Sequence, residues 1–144
     1  MKRIFMVLPL LIAAAGTFAS DPPIITLKPC PDKPNCVSTA DANAAHGFAP
    51  LPFHGSRQQT HDELVRLIGA MPRSAIAEAN DSYIHATFTS RLFGFVDELE
   101  FLLDESKQVV HVRSASRSGY YDFGVNKGRV GDVVSAWGSL TRSR

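Results

Sequence analysis

Two strand-like runs joined by a short acidic turn constrain this chain more than any other feature. Residues 95–103 alternate apolar with polar or acidic side chains, residues 109–113 are rich in β-branched types, and Asp104, Glu105, Ser106 and Lys107 lie between them. If those four form the turn, Phe101 faces Val110 and Leu99 faces Val112 on one side of the hairpin. On the other side Glu98 then faces Arg113 and Glu100 faces His111. A slip of one residue would set Phe101 against His111 and spoil both faces, so the hairpin selects its own pairing. The charged pairs read as a solvated face, each contributing about 0–1 kcal/mol. Asp97 instead shares the apolar face with Phe95, Leu99 and Phe101, where an unpaired charge is expensive. It is expected to lie opposite Ser114 and to hold the following loop through Arg117, a serine hydroxyl or backbone amides.

The rest of the chain supplies the partners for this hairpin. Residues 75–79 and 83–89 read as further strands, and a β-meander connects them most economically. Thr60 and Glu63 have the spacing of a capping box, and Leu64, Leu67, Ile68 and Met71 follow at helical spacing until Pro72. A second helix is expected from about Asn126, with Val130, Val133, Val134 and Trp137 as its stripe. Gly128, Gly131 and Gly138 weaken its intrinsic helicity, so it depends on docking against the sheet. Phe48 and Phe53 flank a segment with two prolines, an edge strand at most. The expected fold is a single α+β domain, an antiparallel β-meander sheet with two helices packed on one face and a disulfide-tied irregular N-terminal segment.

Lys2 and Arg3 precede an apolar run over residues 4–15, and Thr17-Phe18-Ala19 offers small residues where a signal peptidase reads. Residues 1–19 are therefore expected to be a signal peptide cleaved after Ala19, leaving no stable membrane span and a periplasmic or secreted product. Residues 20–56 would form the disulfide-tied N-terminal segment and 57–144 the α+β core. Loss of Lys2 and Arg3 takes the formal charge from +1 to −1. Near-neutrality argues against nucleic-acid binding, which calls for a basic excess or stripe. Cys30 and Cys36 are the only cysteines, and an oxidising compartment makes a disulfide the leading reading. Their spacing falls short of a zinc pattern and is not Cys-x-x-Cys.

Polar chemistry concentrates in residues 113–129, RSASRSGYYDFGVNKGR, between the last strand and the last helix. Arginine forks, serine hydroxyls, glycine-exposed amides and a helix N-terminus suit an anion such as a phosphate or carboxylate. The candidate ligand-binding residues are Arg113, Ser116, Arg117, Tyr120, Asn126 and Arg129. The same residues also suit a structural corner, with Asp122 capping the turn, Gly119 and Gly124 at unusual backbone angles and Asn126 capping the helix. Asp97 and Asp122 are the structural polar residues of that reading.

Three blocks of the chain resemble the family known as domain of unknown function 1499. They are Cys-Pro-Asp-Lys-Pro-Asn-Cys-Val-Ser from Cys30, Gly94-Phe95-Val96-Asp97 with Glu100-Phe101, and the stretch from Val112 to Arg129. The last is similar to a closing motif of Arg-Ser-x-Ser-Arg-x-Gly, Asp-x-Gly-x-Asn and a basic residue. Glu98 stands where many members have a second Asp, and Gly128 loosens the helix start. The resemblance implies an exported or membrane-associated bacterial domain, with relatives in plastids, and no established activity.

Three function classes follow. The leading one is a non-catalytic binding or structural module, with the Arg113–Arg129 junction as the candidate site for an anion or other small ligand, and no cofactor. A hydrolase-type enzyme would use Ser114 or Ser116 as nucleophile, His85 or His111 as base and Asp97 as orienting acid, but no nucleophile-elbow motif supports it. An interaction module would engage an envelope protein through Phe48, Phe53 and Phe93. His46, His54 and His61 read as surface residues, and nothing spaces them as metal ligands.

Overall fold

The computed structural model describes residues 25–142; the expected signal peptide lies outside the described residues. The elements run β1 (Cys36–Ser38), β2 (Leu51–Pro52), α1 (Arg57–Gly69), β3 (Ser74–Asn80), β4 (Tyr83–Thr89), β5 (Val96–Asp104), β6 (Val109–Ser116) and α2 (Val125–Arg142). They build one antiparallel six-stranded sheet in the order β1-β6-β5-β4-β3, with β2 also pairing to β6. The fold is the expected α+β domain, with a Cys30–Cys36 disulfide in its N-terminal region.

Period-two alternation drives one face of the sheet inward. Ile84, Ala86, Phe88, Leu99, Phe101, Leu103, Val110 and Val112 are buried there. Leu64 and Ile68 of α1 and Val130, Val133 and Trp137 of α2 close the same core. Each such side chain contributes about 1.5–3 kcal/mol on burial before entropy is counted. Gly131 admits the Phe48 ring, 3.7 Å from where a Cβ would stand. Phe48 and Phe53 thus pack against the core and are not free anchors.

The α1 start differs from the Thr60–Glu63 expectation. Ser56 is the N-cap, its hydroxyl accepting from Gln59 N while Gln59 Oε1 accepts from Ser56 N, so the reciprocal box sits one turn earlier. Thr60 and Glu63 turn inward instead. Thr60 Oγ1 accepts from His54 N at 2.9 Å, and Glu63 lies 3.0 Å from His54 Nδ1. His54 is accordingly buried, its ring stacked on Trp137 at 3.8 Å, and is not the expected surface residue.

The β5–β6 register differs from expectation by two residues. Phe101 pairs with Val112, Leu99 with Ser114, Glu100 with Arg113 and Asp97 with Ser116. The turn begins one residue later than expected, because Asp104 still pairs with Val109 while its carboxylate accepts from Ser106 and from Lys107 N. Gln108 then closes it at φ 55°. A two-residue shift keeps every side chain on its expected face and changes only its partner.

Candidate functional site

β4, β5, β6 and α2 converge at one end of the sheet. Residues 90–95 link β4 to β5 there, and residues 117–124 link β6 to α2. Beneath these loops lies a buried polar network centred on Asn126, which is fully buried. Its Oδ1 accepts from Ser114 Oγ at 2.6 Å and from Arg129 Nη1 at 2.8 Å. Its Nδ2 donates to Ser116 Oγ at 2.9 Å, to Asp122 Oδ2 at 2.8 Å and to the Asn35 carbonyl at 3.2 Å. Asn126 is thus the hub tying sheet, helix and N-terminal segment together, and not the helix cap.

Asp122 does the capping, accepting from Gly124 N at 3.0 Å and Asn126 N at 2.8 Å. Burial pushes its carboxyl up, but these amides together hold it below the usual range. The turn it organises places Phe123 at φ 55° and Gly124 at φ 79°. A bulky residue in the left-handed region is strained by about 1–3 kcal/mol, and Phe123 is 88 % exposed, so no burial of its ring offsets that strain.

The three arginines do not form one anion cradle. Arg113 is buried against Glu100, which also accepts from Tyr83 Oη at 2.7 Å. Burial and this carboxylate push the Tyr83 hydroxyl well above its ordinary value. Arg117 Nε donates to Glu98 at 2.7 Å and Arg129 Nη2 to Asp97 at 2.8 Å. Burial raises the Glu98 carboxyl, yet Arg117 and His85 bring it below its usual range. Strand alternation puts Arg113 and Arg117, with their carboxylates, on the sheet face opposite the helices, whereas Arg129 is on the helix side. Asp97 does occupy the buried apolar face, but its partner is Arg129 of α2 and not Arg117. Arg129 also lies over the Phe88 ring, 4.6 Å from its centroid. The expected Glu98–Arg113 and Glu100–His111 pairs are replaced by Glu98–Arg117 and Glu100–Arg113, and His111 lies 4.0 Å from Asp104.

The residues named for a hydrolase are also separated. Ser114 is on the helix side, committed to Asn126 and Arg129, while His85 and His111 extend from the opposite face. Among the described residues no group of three or more His, Cys, Asp or Glu side chains is placed to hold a metal.

Between the loops lies a partly open apolar cavity of about 270 Å³. Phe93 and Phe95 line it from the β4–β5 loop, Tyr121, Phe123 and Val125 from the junction, and Asp97, Ser116 and Asp122 contribute polar atoms. Tyr121 and Phe123 meet edge to face at 5.0 Å, and Phe93 and Phe95 lie 5.8 Å apart. Leu92, Phe93, Phe95, Tyr120, Tyr121, Phe123 and Val125 are all at least half exposed. Of these, the sequence reading singled out Tyr120 and Phe93 and took Phe95 for core. The missed signal was large apolar residues within glycine-marked turns, Leu92-Phe93-Gly94-Phe95 and Tyr121-Asp122-Phe123-Gly124.

Fold and site define an α+β domain whose polar network braces two aromatic loops. The chain belongs to the family described as protein of unknown function (DUF1499), whose model matches residues 26–136. No curated protein and no solved structure matches it.

Proposed function

We propose that this protein is an exported, non-catalytic binding module of the cell envelope, with its ligand site in the cavity between the β4–β5 and β6–α2 loops. The disulfide supports an oxidising compartment, and with it the reading of residues 1–19 as a signal peptide cleaved after Ala19. The observation that carries the ligand reading is the apolar cavity itself, edged by aromatic side chains that the core does not use. Because each junction arginine is held by its own carboxylate and the acids nearest the cavity are Asp97 and Asp122, the site favours a small, mainly apolar molecule. A free anion is the weaker fit.

A neutral fluorophore, N-phenyl-1-naphthylamine, tests this. Its emission is expected to rise on binding and to fall at least tenfold with Phe93→Ser/Tyr121→Ser, at unchanged melting temperature. Absence of fluorophore binding, together with stabilisation by phosphate or carboxylates that Arg117→Ala abolishes, would return the site to the anion reading.

A further inference from the structure

We propose that the two aromatic loops dock this protein on an anionic lipid bilayer. The exposed apolar side chains extend beyond the cavity to the tips of both loops, where Leu92, Phe93 and Phe123 are 82 %, 76 % and 88 % exposed. Phenylalanine and tyrosine on adjacent tips suit the headgroup boundary, where rings reach the acyl region and hydroxyls stay wet. Phe123 is held outward by a left-handed backbone that Asp122 stabilises, so presentation of the ring is built into the turn.

Charge selects the lipid. Arg91 is exposed beside Leu92, Lys127 is exposed in the first turn of α2, and Arg73 is exposed in the turn before β3, which enters the sheet at the same end. None of the three is paired with a carboxylate among the described residues. Of the carboxylates at this end, Asp97 and Glu98 are matched by Arg129 and Arg117, Asp122 is bonded to the Gly124 and Asn126 amides, and Asp132 lines a hollow with Arg73 without pairing to it. The far end of the sheet carries Asp81, Asp104 and Glu105, but Arg57 lies 3.9 Å from Asp81 and 3.7 Å from Glu105, and Lys107 lies 3.0 Å from Asp104, so its acids are largely matched. The strands separate the two ends by about 25 Å, roughly three Debye lengths at physiological salt. That matched end therefore barely weakens the attraction at the aromatic end, and the unpaired Arg91, Lys127 and Arg73 orient the molecule loops first.

This docking uses the loops of the proposed cavity but does not require the cavity to be filled. The full chain carrying Phe123→Trp tests it, with vesicles of phosphatidylglycerol and phosphatidylcholine whose acyl chains are brominated. Trp137 stays buried beneath His54 and supplies a constant background. The new indole is expected to shift to the blue and be quenched on phosphatidylglycerol vesicles. Arg91→Glu and Lys127→Glu should each weaken that partitioning at least fivefold, while leaving N-phenyl-1-naphthylamine binding unchanged. Leu92→Trp provides the same readout on the other loop. Insertion of the apolar run at residues 4–15 would tether every variant alike, so the difference between the parent and Arg91→Glu or Lys127→Glu carries the test. An unshifted spectrum on both lipids, or an equal response to phosphatidylcholine alone, overturns the proposal. So does a blue shift that grows with protein concentration without vesicles, which would assign the loops to a second copy of the chain.

Discussion

Replacing Asp97 by Asn isolates the contact that joins β5 to α2. Asp97 and Arg129 are each about nine-tenths buried and meet at 2.8 Å, so the substitution leaves a guanidinium inside the protein with no compensating charge. Breaking such a pair costs about 3–5 kcal/mol in general. Here Arg129 keeps Ser114 Oγ at 3.2 Å, Asn126 Oδ1 at 2.8 Å and the Phe88 face, which puts the expected loss nearer 3 kcal/mol. For a domain of about 120 residues this lowers the melting temperature by about 10 °C. Urea unfolding of Asp97→Asn, Arg129→Met and the double variant provides the measurement. Arg129→Met should lose at least as much, because it strands a carboxylate, and the double variant should lose clearly less than the sum. A single-variant loss below about 1 kcal/mol, or additive losses, refutes the claim that a buried ion pair fastens α2 to the sheet.

The Asp122 turn makes a pH-dependent contribution of known sign. Its folded-state value is lowered, so the stabilisation is present above the ordinary carboxylate value near 3.8 and is lost as pH falls through the lower folded value; Asp122→Asn should flatten that acid limb of the stability curve. The Cys30–Cys36 loop spans six positions, and reduction or Cys30→Ser/Cys36→Ser should cost about 2 kcal/mol by the chain-entropy model, with the sheet retained by far-UV circular dichroism.

The helices, the meander and the inward faces were legible because periodicity records burial directly. Leu64 and Ile68, Val130 and Val133, Leu99 and Phe101 all fall where alternation or helical spacing puts them. Partner identity was less legible. The pattern of β5 and β6 is satisfied equally by registers two residues apart, and the left-handed closure at Gln108 that selects between them has no glycine to mark it. Glu100 and Arg113 thereby become a buried pair although both read as solvated. β1 escaped notice because it is three residues long, and its burial comes from its place beside β6 and not from its own alternation.

The junction inverted the usual relation between polarity and burial. Its polar residues, Ser114, Asn126, Arg129 and Asp97, are inside, each satisfied by another, while Phe93, Tyr121 and Phe123 stay outside. Sequence reasoning left the arginines between a structural corner and an anion site, because an isolated arginine suits either. It lacked the three-dimensional fact that β5 presents carboxylates to two of them and to the α2 arginine as well. Once those charges are matched, the network has a mechanical role: it fixes the ends of two loops without drawing their aromatic side chains into the core. Stability and recognition then rest on different residues. Changes at Asp97 or Asn126 act on the fold first, whereas changes at Phe93 or Phe123 remove exposed rings whose loss leaves the core intact. That separation makes the binding proposals testable, since the informative variants lie at the positions least able to unfold the protein.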